Sequence, residues 1–199
     1  MKLNDVFDHI YLINLDTRLD RWMESKEEFA KYGIEAERFP ASTPADVKAN
    51  IYVKPGEAGL IHTHQRIFQD ALANDYESIL ILEDDVEFDP NFENELHQIP
   101  EDWENIFIGG NYTAGMGKHV SGSIYKANQT LACHAIGFKK SQYQNMLDAI
   151  NYFVPIDVTY AGIQHLMISY VFKPVLAWQR ASWSDLMNGY MDYKFLRNE

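Results

Sequence analysis

An α/β sandwich with a mostly parallel central sheet is the fold class that this sequence predicts, on three observations. Strand-like apolar runs alternate with amphipathic helical segments through the first half of the chain. The run Ile79-Leu80-Ile81-Leu82 lacks polar alternation, as a strand covered on both faces does. The 199 residues, 46% hydrophobic and 14% aromatic, suffice for one substantial core, so a single domain over residues 1–199 is expected.

The first element is a strand, His9-Ile10-Tyr11-Leu12-Ile13-Asn14-Leu15, rich in β-branched and aromatic types. Thr17 with Asp20 has the form of a capping box. Leu19, Trp22, Met23, Phe29 and Tyr32 then recur at helical spacing, predicting a helix from about Asp20 to Tyr32 that stops at Gly33. A short strand near Ala36 to Phe39 ends at Pro40, and Ala41 to Pro55, with Pro44 inside, reads as an irregular loop. Gly56 to Asn74 is helical, with Leu60, Ile61, Ile67, Phe68, Ala71 and Leu72 on one side. The strand Ser78 to Leu82 follows. A helix at Asn91 to Gln98 and a strand at Asn105 to Ile108 lead into the turn-rich Gly109-Gly110-Asn111. A glycine-rich loop from Ala114 to Ser123, a strand at Leu131 to Phe138, helices at Ser141 to Asn151 and Asp157 to Tyr170, and a strand at Val175 to Trp178 complete the order.

Composition narrows the function classes. No apolar stretch approaches the roughly 20 residues of a membrane helix, and the early Asp5, with no small-residue cleavage site after Leu15, argues against a signal peptide. One cysteine, Cys133, excludes an internal disulfide and a Cys-based zinc site, which fits a reducing, cytoplasmic setting. A formal net charge of −12 without a Lys/Arg cluster argues against nucleic acid as partner. A small phosphorylated ligand remains compatible, because local arginines or a cation reverse the field inside a cleft.

The chemical signal is Glu83-Asp84-Asp85, three carboxylates directly after a fully apolar strand. That position is the C-terminal edge of the sheet, where open α/β folds bind ligands. In extended chain, residues two apart point the same way, so Glu83 and Asp85 can converge while Asp84 points elsewhere. Two hard oxygen ligands suit Mg²⁺ or Mn²⁺, with phosphate oxygens completing the shell. The plain alternative is an acidic strand end that only solubilises. A receiver domain would carry such a motif on its opening strand, and a dehalogenase-type phosphatase would need an aspartate where Glu83 stands.

The sequence resembles glycosyltransferase family 25, the lipooligosaccharide and procollagen galactosyltransferase type. The matching segments are Tyr11-Leu12-Ile13-Asn14-Leu15 with Arg18, Asp20 and Arg21; Gly56-Glu57-Ala58-Gly59 with His64; Leu82-Glu83-Asp84-Asp85; Pro155-Ile156-Asp157; and, more weakly, Gln179 with Ser184-Asp185. Leu60 and Thr63 depart from the Cys and Ser often found there. The resemblance implies a GT-A type, Rossmann-like nucleotide-binding fold and a nucleotide-sugar donor, by default a UDP-hexose. It implies a glycan or lipid-linked acceptor, as in lipopolysaccharide biosynthesis, and inverting transfer. It implies Mn²⁺ or Mg²⁺ on Glu83 and Asp85, and Asp157 as general base. The implied donor-binding set is Asn14, Leu15, Arg18, Arg21, His64, Glu83, Asp84, Asp85, Gln179 and Ser184.

Ordinary roles stand beside these. Asp157 after a proline can be an N-cap, and a base and an N-cap are compatible. His62 and His64 diverge on a helix and make a poor metal pair; His64 can contact the donor or fix the helix to the sheet. Cys133-His134 lies in a predicted strand and reads as core. Gly109-Gly110-Asn111-Tyr112 can face a sugar or form a plain turn, and Trp178, Trp183 and Tyr190 can stack on sugars or pack. Two rival functions are a glycoside hydrolase with paired carboxylates and a nucleotide-sugar binding module without turnover.

Overall fold

The computed structural model describes residues 1–48, 51–112, 115–185, 188–194 and 197. Its elements in chain order are α1 (Leu3–Val6), β1 (His9–Asn14), α2 (Leu19–Tyr32), β2 (Glu37–Pro40), α3 (Pro55–Ala73), β3 (Ser78–Glu83), β4 (Val86–Phe88), α4 (Phe92–Glu95), β5 (Asn105–Asn111), β6 (His119–Ser121), β7 (Ile124–Lys126), β8 (Leu131–Lys139), α5 (Tyr143–Ala149), α6 (Ile156–Ile163), β9 (Ser169–Phe172), β10 (Ala177–Gln179), β11 (Ser182–Ser184) and β12 (Gly189–Met191).

The main sheet has the strand order β2-β1-β3-β8-β5-β9-β7-β6. β1 runs parallel to β2 and β3, and β5 parallel to β9, while β8 and β7 run against their neighbours. The mostly parallel α/β sandwich is therefore present, with β8 reversed between β3 and β5 and β7 reversed between β9 and β6. Side-chain alternation divides the core between the two faces. Tyr11, Ile13, Ile79, Ile81, Ile136 and Phe138 pack with α3, α5 and α6, whereas Ile10, Leu12, Leu80, Leu82, Ile106 and Ala135 pack with α1, α2 and α4. The unbroken apolar run of β3 follows from this, since each successive residue enters one core or the other.

Local chemistry accounts for the element ends. Gly33 closes α2 in the left-handed region at φ 64°, its N–H reaching the Phe29 carbonyl. Pro55 opens α3, where its missing N–H costs nothing, and the Glu57 carboxylate accepts the Lys54 N–H at 2.8 Å.

Several expectations are corrected. Arg18 is the residue capping α2, without a side-chain cap, and Asp20 pairs with Arg18 instead of closing a box with Thr17. The helix expected over Asp157 to Tyr170 ends at Ile163. A 3₁₀ turn follows and then β9, whose four residues are all buried between β5 and β7. Gly109-Gly110-Asn111 is no turn but the bulged end of β5. A Cβ on Gly109 would stand 2.3 Å from the Ala177 carbonyl oxygen, so glycine lets β10 cross β5 at close range. The expected glycine-rich loop starts at Ala114, outside the described residues, and its later part holds the β6–β7 hairpin. Among the described residues, no helix is long and apolar enough to cross a membrane.

Candidate active site

Parallel pairing of β1 with β3, Ile13 opposite Glu83, brings the C-terminal ends of both strands to one edge of the sheet. β8, running the other way, contributes its beginning, so Ala132 and Cys133 reach the same edge. A cleft of about 400 Å³ opens there. Its floor is Asn14, Glu83, Asp84 and Asp85; one wall comes from Ala41, Ser42 and Gly56, the other from Ser182, Ser184 and Tyr193.

The acidic triplet divides as the strand geometry predicts. Glu83 and Asp85 both face Gln179, whose Nε2 lies 3.2 Å from Glu83 Oε2 and 3.5 Å from Asp85 Oδ1. Asp84 turns away, accepting from Arg21 Nη1 at 2.6 Å and Asn14 Nδ2 at 2.7 Å. Arg21 also stands 3.4 Å from Asp85 and donates to Ser182 Oγ and the Trp183 carbonyl. One guanidinium thus serves two carboxylates and the β11–β12 hairpin. Burial, then the neighbouring Asp85, Asp84 and Asp157 charges, push the Glu83 carboxyl up to about 8. Burial likewise raises Asp85 to about 6, although Arg21 opposes it. Ionising both carboxylates together is therefore disfavoured, and Arg21 offsets only part of that cost.

A divalent cation would favour the ionised pair. Glu83 and Asp85 supply hard oxygen donors to one space, and an amide steadies both. Among the described residues, no group of three or more His, Cys, Asp or Glu forms a cage. The remaining ligands of an ion here would come from phosphate or water.

Asp157 lies in the first turn of α6, half-buried and near enough to Glu83 to raise its carboxyl, though it is not among the residues that line the cleft. Its Oδ1 accepts from the Val158 N–H at 2.8 Å and its Oδ2 from the Ala132 N–H at 3.3 Å. Pro155, not Asp157, occupies the N-cap position. Ala132 is at φ 61°, a conformation costly for a residue with a Cβ, and this turns its N–H toward Asp157.

The other expected residues separate. Leu15 and Ser184 line the cleft. Arg18 sits at the rim, paired with Asp20 and with Asp185 of the hairpin. His64 is fully buried and does not line the cleft; a hydrogen bond of 2.8 Å joins Nδ1 to the Tyr160 hydroxyl, and burial lowers it to about 3. Its neighbours on α3 act on the cleft instead. Thr63 Oγ1 accepts the Ser42 N–H, while His62 and Arg66 reach Ser42 Oγ. Gly59 allows this contact, since a Cβ there would lie 2.4 Å from the Ser42 carbonyl.

His134 is also buried. Its Nε2–H donates to the Ala177 carbonyl at 3.2 Å, fixing β10 two residues before Gln179. Cys133 is core, with burial holding its thiol well above the usual range. Trp178 is half-buried against Arg197 and Glu87, whereas Trp183 and Tyr190 are exposed and opposite each other in the hairpin. Ser42, Ser182 and Tyr193, which line the cleft, and Ala132, which holds Asp157, carry no signal in the sequence, because only the folded chain brings them there.

Residues 7–164 match the family described as Glycosyltransferase family 25 (LPS biosynthesis protein). A "Glycosyltransferase 25 family member" of Aedes aegypti is 30% identical over 126 residues, covering 51% of this chain and 21% of the relative. "Procollagen galactosyltransferase 2" of Mus musculus is 30% identical over 129 residues, covering 52% and 21%. These matches span about a fifth of the length of those relatives. The solved structure of A197 from STIV superposes with a TM-score of 0.50 at 15% identity, covering 86% of this chain and 85% of that one. Likeness at that identity speaks for the fold alone.

Proposed function

The chain belongs to glycosyltransferase family 25, and from that we propose that it moves a hexose from a nucleoside-diphosphate sugar, a UDP-hexose, to a hydroxyl of a glycan or lipid-linked acceptor. The observation that carries this reading is the pair Glu83 and Asp85, bridged by Gln179 at the cleft floor, with Asp157 near enough to raise the Glu83 carboxyl. Mn²⁺ or Mg²⁺ would be held by Glu83 and Asp85, and when bound it offsets the charge gathering on the departing diphosphate.

The rest falls to side chains of this chain. Arg21 supplies a fixed positive charge at the diphosphate end, and Arg18 a second one at the rim. Asn14 and Asp84 keep the Arg21 guanidinium in place. Asp157 takes the proton of the acceptor hydroxyl as that oxygen bonds to the anomeric carbon. The bond from that carbon to the diphosphate oxygen breaks, and the diphosphate leaves with the electron pair. Attack opposite the leaving group inverts the anomeric centre. Leu15, Ala41, Ser42 and Gly56 form the wall available to the nucleoside, and Ser184 the wall opposite. The compartment in this reading is the cytoplasm, where a lone buried thiol stays reduced.

The test separates binding from transfer. Asp157→Asn is expected to bind UDP-hexose as the native chain does and to lose transfer by at least a hundredfold. Unchanged transfer in that variant would remove Asp157 from the chemistry.

A further inference from the structure

Two exposed aromatic rings meet on the loops that lead into α3 and α6. Tyr52 is 61% and Phe153 64% exposed, and their rings meet edge to face with centroids 5.0 Å apart. They come from different loops, one leading into α3 and one into α6. Each loop is anchored by a residue next to the ring. Val53 is buried in the core, and the Tyr152 hydroxyl donates to Gln65 Oε1 at 2.7 Å. The Phe153 N–H donates to Asn151 Oδ1 at 2.9 Å, which fixes the turn that presents the ring.

Their position is limited by chain length. Phe153 precedes Asp157 by four residues and Tyr52 precedes Gly56 of the cleft wall by four. Four residues span at most about 14 Å, so both rings sit on segments that stay close to the carboxylate and to the cleft wall.

We propose that Tyr52 and Phe153 form a platform for a sugar ring of the acceptor, beyond the sugar whose hydroxyl reacts near Asp157. This rests on the transferase reading above and adds the substrate class to it: an acceptor of at least two sugar residues, one of which lays its apolar C–H face on an aromatic ring. An edge-to-face ring pair, its planes 69° apart, offers a face to the sugar and an edge to hold it laterally. An apolar patch of this kind next to a polar cleft is the usual form of a recognition surface. The diphosphate end, at Glu83, Asp85 and Arg21, is occupied by charge, which leaves these neutral rings to the uncharged partner.

The experiment is saturation-transfer NMR with lactose, maltose and cellobiose as probes, in the presence of UDP and Mg²⁺, with UDP affinity measured separately by calorimetry. The native chain is expected to transfer saturation to at least one disaccharide. Tyr52→Ala and Phe153→Ala weaken that binding about three- to tenfold, Phe153→Trp retains it, and UDP affinity is unchanged in all three. Equal disaccharide binding in the alanine variants overturns the platform. So does the absence of disaccharide binding to the native chain, or a loss of UDP affinity in place of sugar affinity. If the native chain binds no UDP while the alanine variants still lose sugar, the platform stands and the donor reading falls.

Discussion

Arg21 Nη1 lies 2.6 Å from Asp84 Oδ1 beneath the cleft, with both side chains about 10% exposed. Through this pair α2, the acidic turn after β3 and the β11–β12 hairpin are held as one unit, because Arg21 also reaches Ser182 and Trp183. Removing either partner leaves a charge withdrawn from water.

Arg21→Ala is therefore expected to cost about 3–5 kcal/mol of folding stability. Arg21→Lys recovers only part of this, since an ammonium cannot hold Asp84 and Ser182 in the same fork. Urea denaturation measures both; an unchanged midpoint for Arg21→Ala contradicts the pairing.

Glu83 titrates in the other direction from a salt-bridged acid. Its folded carboxyl is pushed up to about 8, above its ordinary value of 4.5. The folded state thus holds a proton that the unfolded chain has released. The associated stability is complete below about pH 4.5 and is lost as pH rises through 8. Without divalent ions, Glu83→Gln should match the native melting temperature near pH 4.5 and exceed it by roughly 5 °C near pH 8.5. A difference that does not grow with pH would show that Glu83 carries no such burden.

His64 and His134 impose the opposite slope. Burial lowers them to about 3 and about 4, so both fold neutral while the unfolded chain takes up protons below its ordinary 6.5. Their contribution is complete above pH 6.5 and falls as pH drops toward the folded values, by up to about 1.4 kcal/mol per unit for each ring. His64→Phe should flatten the acid side of the stability profile between pH 6.5 and 4. An unaltered profile would mean that His64 is already charged in the folded state.

Gly109→Ala tests how β10 is positioned. The new Cβ would meet the Ala177 carbonyl oxygen and His134 Nε2, neither of which can retreat easily. A loss of about 1–3 kcal/mol is expected, together with weaker UDP-hexose binding, because Gln179 follows on the same strand. Native stability and native binding in this variant would place the control of Gln179 elsewhere.

The sequence revealed what periodicity and local chemistry encode. β1, α2, α3 and β3 are legible because apolar runs, helical periodicity and Gly33 mark them, although Pro55, read as the end of the loop, is the first residue of α3. The split of the acidic triplet is legible because two-residue spacing is a property of any extended chain. β9 is not, since the helix expected from Asp157 runs on to Tyr170, and only pairing between two strands makes Ser169-Tyr170-Val171-Phe172 extended. Gly109-Gly110 looked like a turn because glycine serves turns and close crossings alike. The placing of His64 in the core and of Ser42 at the cleft depends on where α3 packs, and nothing local to either residue states it.

The most direct measurement is the thermal stabilisation of the chain by UDP, UDP-galactose and UDP-glucose, with and without Mn²⁺, repeated on Asp85→Ala. At a ligand concentration a hundredfold over Kd the account predicts stabilisation of about 2.7 kcal/mol, dependent on Mn²⁺ and absent in Asp85→Ala. No stabilisation by any of the three with metal present, or equal stabilisation of Asp85→Ala, would contradict it.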